Sequence, residues 1–309
     1  MTLEDLNIMP VKMWIKQLVS LFVFAAMLNS AVAGEGYPRL ADSVDPDLQK
    51  GLQQSLNTLG LAKAARNGEI SVALVDITDR NQPRLATING DHMMYAASLP
   101  KIAILFGAFS RIERGDMNLD KNTHQQLVRM IRNSSNTAAT MMLNKVGKQY
   151  LADLLESPRY RLYDRERNGG LWVGKEYARS GAWKRDPLHN LSHGATAVQV
   201  ARFYYMLETS QLVSPALSKK MKAIMGKPAI NHKFVRGLNE ARPGSTIFRK
   251  SGTWRHYHAD SAIVERDGRR YIAVALAQSA KGSHWLKRLV VAMDDLVFRT
   301  SPSTVALLD

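Results

Sequence analysis

In the stretch "YAASLPKIAILFGAF", Tyr95 to Phe109, a serine precedes a lysine by three residues. Ser98 and Lys101 stand at the mouth of an otherwise apolar helical stretch, with Pro100 between them. A serine hydroxyl is a poor nucleophile until a neighbouring base takes its proton. Positions i and i+3 of a helix share a face, so the Lys101 amine can reach Ser98 Oγ. Pro100 is tolerated in a first turn, where its missing N–H has no partner to lose. The positive end of the helix favours an oxyanion at Ser98. A lysine serves as a base only when its pKa falls, and burial beside a second cation lowers it. The competing, purely structural reading has Ser98 capping the helix and Lys101 extending to water.

Two more groups bear on that choice. Ser134-Ser135-Asn136 follows "LVRMIRN" and precedes "TAATMMLNKVG", a position expected on a loop between helices. Lys250-Ser251-Gly252-Thr253 lies in "TIFRKSGTW", which reads as a strand, and Lys250 would be the second cation. Singly each pattern is weak: S-x-N recurs at Ser55-Leu56-Asn57, and a loop asparagine or strand lysine is ordinarily solvated. In this order, with helix start, inter-helix loop and strand as their settings, the three form a strong set and favour the reading in which Lys101 activates Ser98.

The elements that must carry them follow from periodicity. Asp45-Pro46 opens a helix with Leu48, Leu52, Leu56 and Leu59 on one face, ended by Gly60. "EISVALVDI", Glu69 to Ile77, is rich in β-branched residues and reads as a buried strand, with "PRLATING" as its hairpin partner. From about Lys101 to Met225 the pattern is mostly helical, "ATAVQVARFYYML" included. "TIFRKSGTW" and "DSAIVERDGRRYIAVALAQ" return to strands, with an Asp267-Gly268 hairpin turn. "GSHWLKRLVVAMDDLVF" closes the chain as an amphipathic helix with Ser283 as N-cap. The two strand groups flank the helical block and are expected to pair in one sheet. The result is an α+β domain, an antiparallel sheet flanked by helices with an all-helical insertion over about residues 98–240, and a cleft between the two parts.

Composition sets the surroundings. The 309 residues include no cysteine, 42 Lys+Arg and 27 Asp+Glu, a formal net charge of +15. Thiol catalysis and cysteine-ligated metal are thereby excluded. The basic excess suits anionic surroundings, but it is scattered without interleaved aromatics, so no nucleic-acid partner is expected. His256 and His258 lack an evident third ligand, and neither a metal nor any other cofactor is expected. Trp172, Trp183 and Trp254 read as core or rim packing, with a groove role as the alternative. Lys12 and Lys16 precede the apolar run Leu18 to Leu28 and an A-x-A site ending at Ala33, the layout of an export signal. Residues 1–33 are therefore expected to be removed, leaving residues 34–309 as one catalytic domain in the periplasm or outside the cell. The apolar run is short for a membrane span, so no stable membrane insertion is expected after cleavage. Glu4 and Asp5 are unusual before such a signal, and translation could begin at Met1, Met9 or Met13.

On these motifs the chain resembles the penicillin-recognising serine hydrolases, and among them the class A β-lactamases. "SSNTAATMML" is similar to the family's S-D-N-T-A helix start, and the resemblance runs from about Val44 to Phe298. It implies a β-lactamase/transpeptidase-like fold and hydrolysis of β-lactam amides through an acyl-serine at Ser98. It implies that Lys101 is the base, that Ser134 passes a proton to the departing nitrogen, and that Asn136 bonds the substrate's amide side chain. Lys250, Ser251 and Thr253 would hold the substrate carboxylate, with the N–H groups of Ser98 and Thr253 as the oxyanion hole. The expected partner is a small β-lactam or a peptidoglycan stem peptide, and the expected state a monomer. The chain departs from the family in three places. The segment between Lys101 and Ser134 is short, which implies a more open cleft; Ser135 replaces an aspartate; and the E-x-x-L-N motif that supplies the deacylating glutamate has no clean match. Glu166, in "YDRERNGGLWVG", stands nearest to that place, with Glu176 further along. A D,D-peptidase or a slowly deacylating penicillin-binding or sensor protein is therefore the alternative. Glutaminases share S-x-x-K, but the export signal argues against a cytoplasmic amidase.

Overall fold

The structure is a computed structural model, described here over residues 36–300; the expected export segment lies outside the described residues. Helices α1 (Pro46–Thr58) and α2 (Ala62–Arg66) lead into strands β1 (Ile70–Asp76) and β2 (Arg84–Ile88). The chain returns to the same sheet only at β8 (Thr246–Trp254), β9 (Tyr257–Arg266) and β10 (Arg269–Gln278). The sheet order is β2-β1-β10-β9-β8, all antiparallel, so β1 pairs with β10 and joins the two strand groups. Every residue of β1 is buried, because both faces of the sheet are covered. Ile70, Val72 and Leu74 alternate onto one face. There they meet Leu48, Leu52 and Leu56 of α1 and Leu286, Leu289 and Met293 of the last helix, α10 (Gly282–Thr300). The opposite face packs against α7 (Ala197–Glu208).

Local chemistry sets most boundaries. Asp45 caps α1 by accepting from Leu48 N at 2.7 Å, with Pro46 in the first turn. Asp267 and Gly268 turn the β9–β10 hairpin at positive φ, 46° and 75°. The last helix differs slightly from expectation. It begins at Gly282, so Ser283 lies inside its first turn rather than capping it, and Trp285 N bonds back to Lys281 O.

The insertion carries α3 (Lys101–Glu113), α4 (Lys121–Arg132), α5 (Asn136–Val146) and α6 (Lys148–Glu156), then α7, α8 (Pro215–Met225) and α9 (Lys233–Ala241). It is not helical throughout. Residues 157–196 form loops and short strands: β4 (Tyr163–Asp164), β5 (Gly169–Gly170), β6 (Trp172–Val173) and β7 (His193–Ala195). Gly169 and Gly170 sit at φ 104° and 153°, outside helical space. At Gly174 the backbone of Lys184 approaches so closely that a Cβ would lie 1.8 Å from its carbonyl oxygen. β7 is the centre strand between β6 and β3 (Met94–Tyr95), and Ala96 N donates to His193 O at 3.0 Å. This small sheet ties the approach to Ser98 to the irregular segment facing it. Among the described residues no helix is long and apolar enough to cross a membrane.

Candidate active site

Ser98 precedes α3 by one turn of i→i+3 hydrogen bonds: Leu99 N to Ala96 O, Lys101 N to Ser98 O and Ile102 N to Leu99 O. Side chains three apart lie on one face in such a turn, which places Lys101 on the same side as Ser98. No side chain caps α3, whose N-cap position is Pro100, so Ser98 does not serve as the cap. Ala97 just before it holds φ 50°, and Ser134 holds φ 57°. Left-handed backbone at a non-glycine residue costs on the order of 1–3 kcal/mol and persists only where the surroundings enforce it. Around Ala97 the closest neighbour is β8, the edge of the large sheet. A Cβ on Gly252 would lie 2.1 Å from Ala96 O and 2.8 Å from Ser98 N, so only glycine lets β8 close onto the serine turn.

The surroundings of Lys101 rule out the solvated reading. Its side chain is fully buried, and Nζ donates to Ser134 O at 2.6 Å, to Asn136 Oδ1 at 2.8 Å and, more weakly, to Ser134 Oγ at 3.5 Å. Burial lowers its pKa to about 7. No hydrogen bond joins Lys101 Nζ to Ser98 Oγ. An ammonium has no lone pair with which to accept the serine proton, so a base role requires that Lys101 lose its own proton first. Tyr177 roofs this amine: its ring centre lies 4.5 Å from Nζ, and its hydroxyl donates to Ala97 O at 3.4 Å. Burial raises the Tyr177 phenol well above its ordinary pKa, so it stays protonated.

Lys250 is 1% exposed, and Nζ donates to Ser134 Oγ at 3.0 Å and to Ser251 O at 2.6 Å. Ser134 is thus the hinge between both lysines. Burial first, then Lys101 and Arg249, push the Lys250 pKa well below its usual value; an anion bound beside it would push the other way. Ser135 caps α5 by accepting from Ala138 N at 3.2 Å, a task that a serine performs as well as the family's aspartate.

Four residues that brace this strand were not singled out in sequence: Lys233, His232, Arg249 and Asp260. Lys233, 1% exposed, donates to Gly252 O at 2.6 Å, Thr253 Oγ1 at 2.7 Å and Ala259 O at 3.1 Å. Thr253 Oγ1 accepts there, which leaves its own proton to point elsewhere. Burial lowers the Lys233 pKa to about 8. His232 Nε2 contacts Ser251 Oγ at 3.2 Å and, its pKa lowered by burial to about 4, is neutral near pH 7. Arg249 grips Asp260 through two 2.7 Å bonds and donates to Ile230 O, holding the start of α9 against β8. The one available signal was an acid, Asp260, inside an apolar strand, a placement that asks for a buried cation.

Ser98, Asn136 and Thr253 line one cleft of about 610 Å³, with Lys101, Ser134, Lys250 and Ser251 packed directly behind. Glu166 is not brought to them. Its side chain is 82% exposed, ion-paired to Arg161 at 2.6 Å and absent from the cleft lining. The acid that does line the cleft is Glu176, bound to Lys148 at 2.5 Å, which lowers its pKa. His256 sits at the β8–β9 turn against the Tyr257 ring, 4.4 Å between centres, and among the described residues no three His, Asp or Glu converge as a metal site.

A sequence model of the "Beta-lactamase enzyme family" matches residues 50–126 and 122–295. The chain belongs to the β-lactamase enzyme family. No curated protein sequence matches it. Among solved structures, a β-lactamase from Sphaerobacter thermophilus DSM 20745 is similar over 79% of this chain and 96% of its own, at 14% identity and TM-score 0.62. PBP-A is similar over 85% and 98%, at 17% identity and TM-score 0.60. A leucine-to-glutamate mutant of PBP-A, described as an acyl-enzyme complex with penicillin G, is 18% identical over 82% and 97%, with TM-score 0.60. At these identities the likeness establishes the fold, a β-lactamase/transpeptidase-like antiparallel sheet flanked by helices.

Proposed function

We propose that this β-lactamase-like serine hydrolase is exported, acts as a monomer and opens β-lactam amides through an acyl-serine at Ser98. The observation that carries the reading is the convergence of Ser98, a buried Lys101 with a pKa near 7, and Ser134 bonded to Lys250. Neutral Lys101 takes the Ser98 proton as Oγ attacks the amide carbonyl carbon. The tetrahedral oxyanion rests on the N–H groups of Ser98 and Thr253. The C–N bond then breaks, and Ser134 hands the departing nitrogen a proton that Lys101, now holding the one from Ser98, replenishes across 3.5 Å, while Lys250 stays charged. Asn136 holds the amide side chain, and Lys250, Ser251 and Thr253 hold the carboxylate. Water finally cleaves the Ser98 ester.

One observation favours a second reading, slow deacylation as in a penicillin-binding protein or D,D-peptidase. The group facing Lys101 from the 157–196 segment is the Tyr177 ring, and Glu166 stands in solvent. Intact-protein mass spectrometry with benzylpenicillin, followed in time, separates the two. A short-lived adduct with loss of drug supports efficient hydrolysis, and a persistent adduct on the Ser98 peptide supports the second. Absence of any adduct sinks both.

Lys250→Ala is expected to lower kcat/KM for carboxylate-bearing substrates by roughly tenfold to a hundredfold, the worth of a charge-assisted hydrogen bond of about 1.5–3 kcal/mol. A methyl ester of the same substrate should lose much less. Equal losses for acid and ester would make Lys250 structural.

A further inference from the structure

The cleft holds more positive charge than one substrate carboxylate requires. Beyond the buried lysines, Lys175, Arg179 and Arg185 line it, all from the segment between β6 and β7. Among the described residues none of the three pairs with a carboxylate, and the one acid in the lining, Glu176, is already taken by Lys148. Their placement is enforced by the fold. Trp183 N and Lys184 N donate to Gly174 O, Gly174 N to Ser192 O, and Trp172 Nε1 to Lys184 O. Asp186, 2% exposed, accepts from Tyr163 Oη, Leu188 N, His189 N and Leu191 N, fixing the turn just after Arg185. Arg185 itself is held by a bond from Nη1 to Asn190 O at 3.0 Å.

The same cleft carries a strip of rings. Tyr177 lies 4.3 Å from His193, His193 lies 6.3 Å from Tyr95, and Tyr95 meets Tyr257 at 5.3 Å and Trp254 at 5.4 Å. Trp254 remains 46% exposed at the mouth. Flat apolar surface of this kind binds rings, and unpaired guanidinium groups bind carboxylates.

We propose that the cleft is built for an acyl group that joins a planar ring to a second anion, in addition to the carboxylate assigned to Lys250. This deepens the acyl-serine reading and rests on it for kinetics, though not for binding. Benzylpenicillin and its α-carboxylated analogue differ by that one anion. The native chain should acylate with the carboxylated compound about two- to fivefold faster at low salt, as expected for one added ion pair between exposed groups, with the preference shrinking as salt screens it. Arg179→Gln together with Arg185→Gln should bring the ratio towards one. Arg179→Gln alone, which breaks no hydrogen bond or ion pair among the described residues, should lower it part of the way. A native ratio of one or less, or a ratio that survives the double variant with Lys175→Gln added, overturns the proposal. Calorimetric binding of both compounds to Ser98→Ala separates the two levels of inference. Tighter binding of the carboxylated compound without any acylation of the native chain would retire the acyl-serine reading and keep the subsite; equal binding would retire the subsite.

Discussion

Ser98→Ala is expected to abolish covalent labelling by benzylpenicillin while leaving the fold intact. The side chain lies half-buried at the cleft and records no hydrogen bond, so little structure depends on its hydroxyl. Where a serine and its base act as one unit, loss of either member costs on the order of 10⁶-fold, and the two losses do not add. Lys101→Ala should therefore label almost as poorly as Ser98→Ala. Lys101→Arg should not rescue, because a guanidinium does not give up its proton in a protein; an arginine variant that labels would exclude lysine as the base. The pH profile of the native chain carries the same argument. Burial lowers the Lys101 pKa to about 7, so below that pH the ammonium form dominates and acylation falls by roughly tenfold per unit. Above it the amine is free and the rate levels off. His193, lowered by burial to about 4, is neutral across this range, and the Tyr177 phenol stays protonated, so neither supplies the limb. Lys250 acts in the opposite sense, since it must be charged to hold a carboxylate. A descending limb at higher pH should accordingly appear with carboxylate substrates and fade with their esters. A flat profile between pH 5 and 8 would remove Lys101 from the role.

The contrast between Ser98 and Glu166 shows what the sequence could and could not convey. Ser98, Lys101, Ser134 and Lys250 were legible because each sits at a boundary fixed by local chemistry: a proline-led helix start, a capped loop, a β-branched strand. The sheet was legible for the same reason, through the alternation of β1 and the Asp267-Gly268 turn. Residues 157–196 have no such periodicity. Their course is set by Gly169, Gly170 and Gly174, and by Asp186 collecting four donors, contacts that no local spacing announces. Glu166 accordingly turned outward to Arg161, and Tyr177, eighty residues from Ala97 in sequence, turned inward over Lys101. Lys233 and His232 escaped notice in the same way, since each acts on the K-S-G-T strand from nineteen or more residues away.

That inward turn sets the expected fate of the ester. Hydrolysis needs a water beside the acyl carbonyl and a group to take its proton. Tyr177 cannot take it while its phenol is protonated. Glu176 is ionised but tied to Lys148 at 2.5 Å, and the low pKa that this gives makes it a weak base. On the slow-deacylation reading the native adduct should therefore long outlast its formation. Glu166→Gln should not change its lifetime, since that carboxylate stands in solvent outside the cleft. Glu176→Gln should change it by no more than a few-fold. Tyr177→Glu should shorten it, because it sets a carboxylate against Lys101 on the wall beside Ala97, and a positioned general base is worth about 10²–10⁴-fold in the step it serves. The same substitution removes the ring from Lys101 and sets a negative charge beside it, which raises the lysine pKa; acylation should slow near pH 7 even as deacylation speeds up. Stopped-flow acylation with timed mass spectrometry on the native chain and the three variants measures both steps separately. A native adduct that clears within seconds and accumulates in Glu176→Gln would make Glu176 the deacylating base, and accumulation in Glu166→Gln would return that role to the exposed loop.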